Sequence, residues 1–477
     1  MAPYEAIAEP NGSSTTSTAP NGSANGNGTN GHTNGHTNGH DHDEKEEEEE
    51  EEEEIFPPNL SLRITGLGIQ YPPHRVNPKD LDTIAHKFYP QTDSLKKVLS
   101  INRYTGIISR PSVGECLHPL ANQPSPPSIT DLHNLFIEEG VPLAVSACKQ
   151  AITESNYKPS EITHTVFTTC TDSSNPGYDT VVLKHLGIKP TVEKVLLSGI
   201  GCSGGLAALR TACNIALGAK ALGRKARILI CATEICTVLV RSELDSIVQN
   251  NEVRIGITLF SDCSSAIVLT NCVGEEGRKG VYDILGWKHK IIDNSESELG
   301  FDVDALGWKV ILTPQVPSLT SSATPSLYDN LISSISPKSL STISGIKPTD
   351  VDWALHPGGS LILSSIQNTM SLSPSHLRAS FEVYTNYGNS SSATIFSVMD
   401  RLRSNTEAGV AGEGKEFGPG VGIKGGRKGV LACAFGPGVS VEMALLRRVD
   451  NGLEASNDIV EATNGVGGIS VGGVELD

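Results

Sequence analysis

The chain predicts an α/β fold made of two duplicated halves around a pseudo-dyad, and three observations carry that reading. Between about residues 60 and 448, short β-branched runs alternate with longer Ala- and Leu-rich stretches, the pattern of strands covered by helices. The runs fall into two series: LRITGLGIQ, THTVFTT, VEKVLL, RILICAT and SAIVLT, then GVYDILGW, VDWALH, GVLACAF and VSVEMALL. Each series also holds one polar elbow ahead of a helix, GIGCSGG (199–205) in the first and NYGNSSSA (386–393) in the second. Two such halves related by a dyad bring both elbows to one central site. A chain of 477 residues is long enough for this duplicated arrangement. The halves are expected at 60–272 and 278–449, between tails at 1–54 and 450–477.

The tails differ in composition from the rest. Residues 1–54 join Asn, Gly, Ser, Thr and His repeats (NGHTNGHTNGH) to an unbroken acidic run from Glu46 to Glu54. Such a segment has no apolar area to bury and is expected to be disordered. Its fourteen acids against one lysine account for most of the net charge of −17, leaving the remainder nearly neutral. Nucleic acid is therefore not an expected partner. His32, His36, His40 and His42 read as part of a solvated tract, and no metal is expected. The tail from Asn451 onward, rich in Gly, Ser and Val, is expected to be loose.

No apolar stretch reaches the ~18 residues of a membrane span, and no apolar h-region follows Met1. The ten cysteines form no CxxC pair. Reduced, mostly buried cysteines in a cytoplasmic protein are the expectation.

The first elbow follows an apolar run at 195–197 and precedes a helix expected at 206–221. A thiol at a helix start meets unpaired N–H groups and partial positive charge, which favours thiolate; Cys202 is thus a candidate nucleophile. The alternative is a small buried side chain. Gly199, Gly201 and Gly204 also spell G-x-G-x-x-G after a strand, the mark of a dinucleotide site. That site needs an acid about 20 residues on to hold the ribose. No Asp or Glu occurs between Glu193 and Glu234, and Glu234 stands thirty residues past Gly204. The glycines fit a tight elbow that something must approach closely better than they fit an NAD-dependent oxidoreductase.

His356 ends the strand VDWAL, and Pro357, Gly358 and Gly359 stop that strand abruptly. The imidazole is left at the carboxyl end, where open α/β sheets place ligands. Alone it would read as a structural histidine. Joined to Cys202 and the amide of Asn389, it reads as chemistry: a Cys–His pair stabilises thiolate and imidazolium, and an amide holds an anionic oxygen without competing for the proton. The Gly-rich stretch 404–429 carries no G-x-x-x-x-G-K-S/T and reads as a surface insertion. FGPG at 435–438 makes a rigid turn before the last strand.

GCSGG at Cys202, HPGG at His356, YGNSSSA at Asn389 and AFGPG at 434–438 resemble, in that order, the signature of type III polyketide synthases, the chalcone and stilbene synthase family with the thiolase fold. NPGYD (175–179), ATEI (232–235) and LFSDCSSA (259–266) support the resemblance, which runs from about 60 to 447 and is nearest to fungal members. It implies a thiolase-like fold of layered αβαβα halves. It also implies that Cys202 takes the acyl group of a CoA starter as a thioester. His356 and Asn389 would bind the thioester carbonyl of malonyl-CoA and stabilise the enolate left by decarboxylation, which attacks that acyl group. Loss of carbon dioxide creates the carbanion, so no cofactor is implied beyond the CoA thioesters.

By the same resemblance Phe260 is an aromatic gate to the reaction cavity, and Val310 stands where the family has a second gating Phe. Cys170, Cys236 and Leu239 occupy cavity positions where plant relatives carry threonines; Thr171, Ser391 and Pro437 are further substrate-binding candidates. Lys97, Arg103 and Arg110 are candidates for the CoA phosphates, and a homodimer is implied by analogy. A less polar wall without the second Phe suggests a medium- or long-chain aliphatic acyl-CoA starter, giving alkyl pyrones, resorcinols or resorcylic acids. Two other readings stay open: a ketoacyl carrier-protein synthase of similar fold, against which AFGPG and LFSDCSSA speak, and a non-catalytic acyl-CoA-binding scaffold, against which the intact Cys202, His356 and Asn389 speak.

Overall fold

Alternation along the predicted strands decides the architecture, because most of them are apolar on both faces. The computed structural model describes residues 56–115, 118–275, 277–305, 307–403 and 426–449. Expectations for residues 1–54, for 450–477 and for most of the 404–429 insertion lie outside the described residues. The strands are β1 (Arg63–Gln70), β2 (His74–Val76), β3 (Arg110–Ser112), β4 (His164–Thr168), β5 (Glu193–Leu197), β6 (Arg227–Ile235), β7 (Asp262–Thr270), β8 (Tyr282–Ile291), β9 (Leu299–Asp304), β10 (Gly307–Leu312), β11 (Asp352–Leu355), β12 (Gly429–Gly436) and β13 (Ser440–Arg448). Nine of them form one sheet in the order β11-β12-β13-β8-β1-β7-β6-β4-β5, and these are the nine runs read from the sequence. The remaining four form two short hairpin-like sheets, β2–β3 and β9–β10. Sequence reading missed them: β2 and β3 have only three residues each, and β9 (LGFDVD) carries two acids.

The large sheet reads outward from its central β1–β8 pair with the same senses on both sides. β7 is antiparallel to β1 and to β6, and β6 is parallel to β4. On the other side β13 is antiparallel to β8 and to β12, and β12 is parallel to β11. Only β5, the strand leading to Cys202, has no counterpart among the described residues.

Successive residues of β6 and β12 enter different cores, as a period of two requires. Ile228, Ile230, Val430, Ala432 and Ala434 join a central core with Leu209, Ala212, Ile395 and Phe396. Those last four come from the two elbow helices, Gly204–Ala221 and Thr394–Arg401. Leu229 and Cys231 face a second core built on the helix Val141–Glu154, while Leu431, Cys433 and Phe435 face a third built on the helix Val316–Ser333. The result is the layered αβαβα arrangement, with both elbow helices in the middle layer. Each fully buried Leu or Ile contributes roughly 1.5–3 kcal/mol toward it. Among the described residues no helix is long and apolar enough to cross a membrane.

Candidate active site

The two elbows meet where the middle helices begin. Past β5, Gly199 and Gly201 take left-handed backbone (φ +76° and +58°), and Cys202 sits in a single tight turn, Gly201–Ser203, leading into the helix. A β-carbon at Gly201 would lie 2.6 Å from Pro437 Cδ, and one at Gly436 would lie 2.6 Å from the Ile200 carbonyl oxygen. The glycines therefore serve the close approach of the β12–β13 turn, which brings Pro437 of the AFGPG motif against the Cys202 turn. A β-carbon at Gly205 would meet the Ser392 carbonyl at 2.5 Å, which is how tightly the second elbow packs on the first.

In that second elbow the helix Arg378–Tyr387 stops at Gly388 (φ +69°). Asn389 then runs beside the Phe260 segment: its amide donates to the Leu259 carbonyl at 3.0 Å, and its own carbonyl accepts from Ser261 at 2.9 Å. Ser391 holds a left-handed φ of +48° and donates its backbone N–H to Asn389 Oδ1 at 2.8 Å. The amide oxygen is thereby engaged and Nδ2 is left as the donor. The Asn389 and Ser391 side chains both favour the anionic form of the Cys202 thiol.

His356 follows β11, its amide donating to the Cys433 carbonyl on β12 at 2.8 Å. Three residues further along β12, about 10 Å at strand rise, Gly436 packs on the Cys202 turn. The imidazole is 1% exposed, and neither ring nitrogen has a hydrogen-bond partner among the described residues.

Burial dominates the electrostatics of the pair. It pushes the Cys202 thiol up to about 12, with the Glu234 carboxylate adding to the rise and the Ser391 and Asn389 side chains opposing it. It pushes His356 down to about 3. The thiolate expected from the helix start is thus not the resting form. Cys202 is only 8% exposed, and losing hydration costs the anion more than the half-charge of a helix terminus returns. With these shifts the thiol and the imidazole are both neutral near pH 7.

Glu234, too far along the chain to hold a ribose, has a structural setting the sequence did not indicate. It is fully buried and raised by that burial. Its oxygens accept from the Cys170 amide at 3.1 Å, the Cys170 thiol at 3.3 Å, the Thr171 hydroxyl at 3.1 Å and the Ser392 hydroxyl. Cys170 Sγ also lies 3.3 Å from Ser391 Oγ, so a polar chain runs from Glu234 through Cys170 to Ser391 in the second elbow. Thr171 accepts from the Ile235 amide as well, and so faces Glu234. The signal available in the sequence was an acid at the end of an otherwise apolar strand.

Cys202, Cys236, Phe260 and Val310 share one apolar cluster, with Phe301 and Leu312 packed against it. Beside it Leu239 packs with Leu132 and Trp308. A cavity of about 90 Å³ is lined by Cys236, Leu239, Phe260, Val310, Arg110 and Glu243 among others. The three basic candidates do not share a surface. Arg110 is buried, donates to the Ile257 carbonyl and is lowered to about 10 by burial. Lys97 is exposed, and Arg103, also exposed, pairs with Asp82 at 3.0 Å.

Known proteins share this arrangement. The family of chalcone and stilbene synthases matches through its N-terminal domain at residues 101–272 and its C-terminal domain at 287–450. The chain is 36% identical over 407 residues to the type III polyketide synthase pspB of Penicillium soppii, covering 82% of this chain and 98% of that one. It is 36% identical over 393 residues to the acylalkylpyrone synthase csyB of Aspergillus oryzae, covering 82% and 95%. A solved type III pentaketide synthase from Neurospora crassa superposes with a TM-score of 0.76 at 51% identity, covering 82% of this chain and all of that one. CsyB complexed with CoA-SH gives 0.75 at 35%, covering 81% and all of it. The elbows, the layered sheet and these matches together make the chain a type III polyketide synthase, an acyl-transferring enzyme of the chalcone and stilbene synthase family.

Proposed function

We propose that the protein condenses malonyl-CoA iteratively onto a medium- or long-chain fatty acyl starter held on Cys202, and closes the product to an alkyl pyrone, resorcinol or resorcylic acid. The observation that carries this reading is His356: a fully buried imidazole with both ring nitrogens unpartnered among the described residues, at a strand end. Leaving such a group unpaired costs about 1–3 kcal/mol, which a bound carbonyl oxygen would offset.

In loading, the Cys202 thiol gives its proton to His356 as sulfur attacks the starter thioester. The proton then passes to the departing CoA thiolate, and the imidazole returns to neutral. In extension, the malonyl thioester carbonyl accepts hydrogen bonds from a ring N–H of His356 and from Asn389 Nδ2. Carbon dioxide leaves, both donors hold the enolate oxygen, and the enolate carbon attacks the Cys202 thioester, breaking its C–S bond. A His356 lowered to about 3 is suited to this second task, because a neutral imidazole donates one hydrogen bond without surrendering its proton.

The apolar lining of Cys236, Leu239, Phe260 and Val310 supports an aliphatic starter. The similar enzyme from Neurospora crassa is a pentaketide synthase, which supports four malonyl additions here. CoA bound to CsyB supports CoA thioesters as substrates; the exposed Lys97 and Arg103 remain candidates for their phosphates, whereas Arg110, buried and donating to the Ile257 carbonyl, does not. We read the chain as halves at 60–272 and 278–449, acting as a cytoplasmic homodimer without metal or further cofactor. Mass spectrometry of products from purified protein, malonyl-CoA and a ladder of aliphatic and aromatic acyl-CoAs tests the reading. A higher kcat/KM for coumaroyl-CoA than for any fatty acyl-CoA would reject the starter class.

A further inference from the structure

Val310 is gripped through its backbone from both sides. Its amide donates to the carboxyl of Glu243, 67 residues away on the helix Val240–Asn250. Its carbonyl accepts from Arg254 Nη1 at 3.3 Å. Arg254 also reaches Asp302 on β9 at 3.2 Å, so one guanidinium touches both strands of the β9–β10 pair. That pair is a separate two-stranded sheet. These two side chains are thus among the direct polar ties between the hairpin and the rest of the half. Gly256 leaves the room required, since a β-carbon there would stand 2.8 Å from Val310 Cβ.

Glu243 is 1% exposed and lines the cavity, and its second oxygen, Oε2, has no hydrogen-bond partner among the described residues. Burial pushes its carboxyl up to about 7, against the pull of the Val310 amide, Arg254 and Lys309. A carboxyl kept there at such a cost of hydration, with a single strong bond to the backbone of a cavity residue, holds that residue in place.

We propose that Glu243, assisted by Arg254, is a positioning residue that sets which acyl chain lengths the enzyme accepts, by fixing how far Val310 enters the cavity. This rests on the reading of that cavity as the place where the acyl chain lies. Neither side chain touches the reacting atoms; both act through Val310.

The test is the ratio of kcat/KM for long against short saturated acyl-CoAs, which cancels any loss of folded enzyme. Glu243→Ala should shift the ratio by about tenfold or more, while Glu243→Gln, whose amide oxygen still accepts the Val310 N–H, should stay within about threefold of wild type. An alanine variant with the wild-type ratio overturns the proposal, and so does a glutamine variant that shifts as far as alanine. If Glu243→Ala yields no folded enzyme, Arg254→Met decides: a shifted ratio supports the clamp, an unchanged one overturns it. An unchanged ratio in an active variant removes only this inference, whereas polyketide formation by Cys202→Ala would remove the underlying function.

Discussion

The two elbows occupy matching places ahead of the two middle-layer helices, yet they are built by opposite means. At the Cys202 elbow the backbone is given to glycine, Gly199 and Gly201 at positive φ, so that Pro437 can close on the turn and leave a thiol at its apex. At the Asn389 elbow a serine, Ser391, carries the positive φ, and its amide clamps the asparagine oxygen so that Nδ2 is presented as a donor. The first holds a thiol in a buried turn and the second fixes an amide donor. A strand, β5, feeds the one, and a helix, Arg378–Tyr387, feeds the other. The duplicated frame therefore sets where chemistry happens, and the residues at each turn set which chemistry it is.

That division of labour is open to attack at its centre. Cys202→Ala should abolish polyketide formation yet leave malonyl-CoA decarboxylation measurable by release of carbon dioxide. Asn389→Ala should do the reverse, still accepting a starter on Cys202 while decarboxylation falls by about 10²–10³. Full polyketide output from the alanine variant at 202, or intact decarboxylation at 389, would dissolve the distinction between the elbows.

The charge state of the first elbow gives the next largest effect. A thiol raised to about 12 is neutral below that pH, so its alkylation rate should still be climbing above pH 8.5. The proposed loading step has His356 accept the thiol proton, and on that proposal His356→Gln should slow iodoacetamide labelling of Cys202 at pH 7 by about tenfold or more. A plateau below pH 8.5 in peptide mapping would mean that the ion pair outweighs burial.

Backbone strain separates the elbows more gently. Gly201→Ala places a side chain at φ +58° against Pro437 and should cost about 1–3 kcal/mol in thermal unfolding, with activity lost. Ser391→Gly relieves a positive φ of +48° and should be neutral or slightly stabilising in the same experiment, although Cys170 Sγ loses its contact with the hydroxyl. Val310→Phe should narrow the chain-length profile toward shorter starters; an untouched profile would show that residue 310 does not bound the acyl chain. The smallest expected effect is removal of residues 1–54, whose polar and acidic composition contributes no core. A truncated enzyme that stays folded but inactive would show the tail to be functional.

Local pattern by itself determined the nine strands of the large sheet, because a short run of β-branched and apolar residues is a property of each segment. It also determined both elbows and the end of β11, since Gly permits turns that other residues resist and Pro fixes φ wherever it stands. What the tertiary structure decided is everything that depends on burial or on distant partners. The thiolate expected of Cys202 became a thiol because the turn is sealed from water. Glu234 gained its role from Cys170 and Ser392, residues 64 and 158 positions away. Val310 found Glu243 across 67 residues, and the three basic residues taken together as a CoA site separated into one buried and two exposed. Hydration and long-range contact are sums over the whole fold, and no window of sequence contains them.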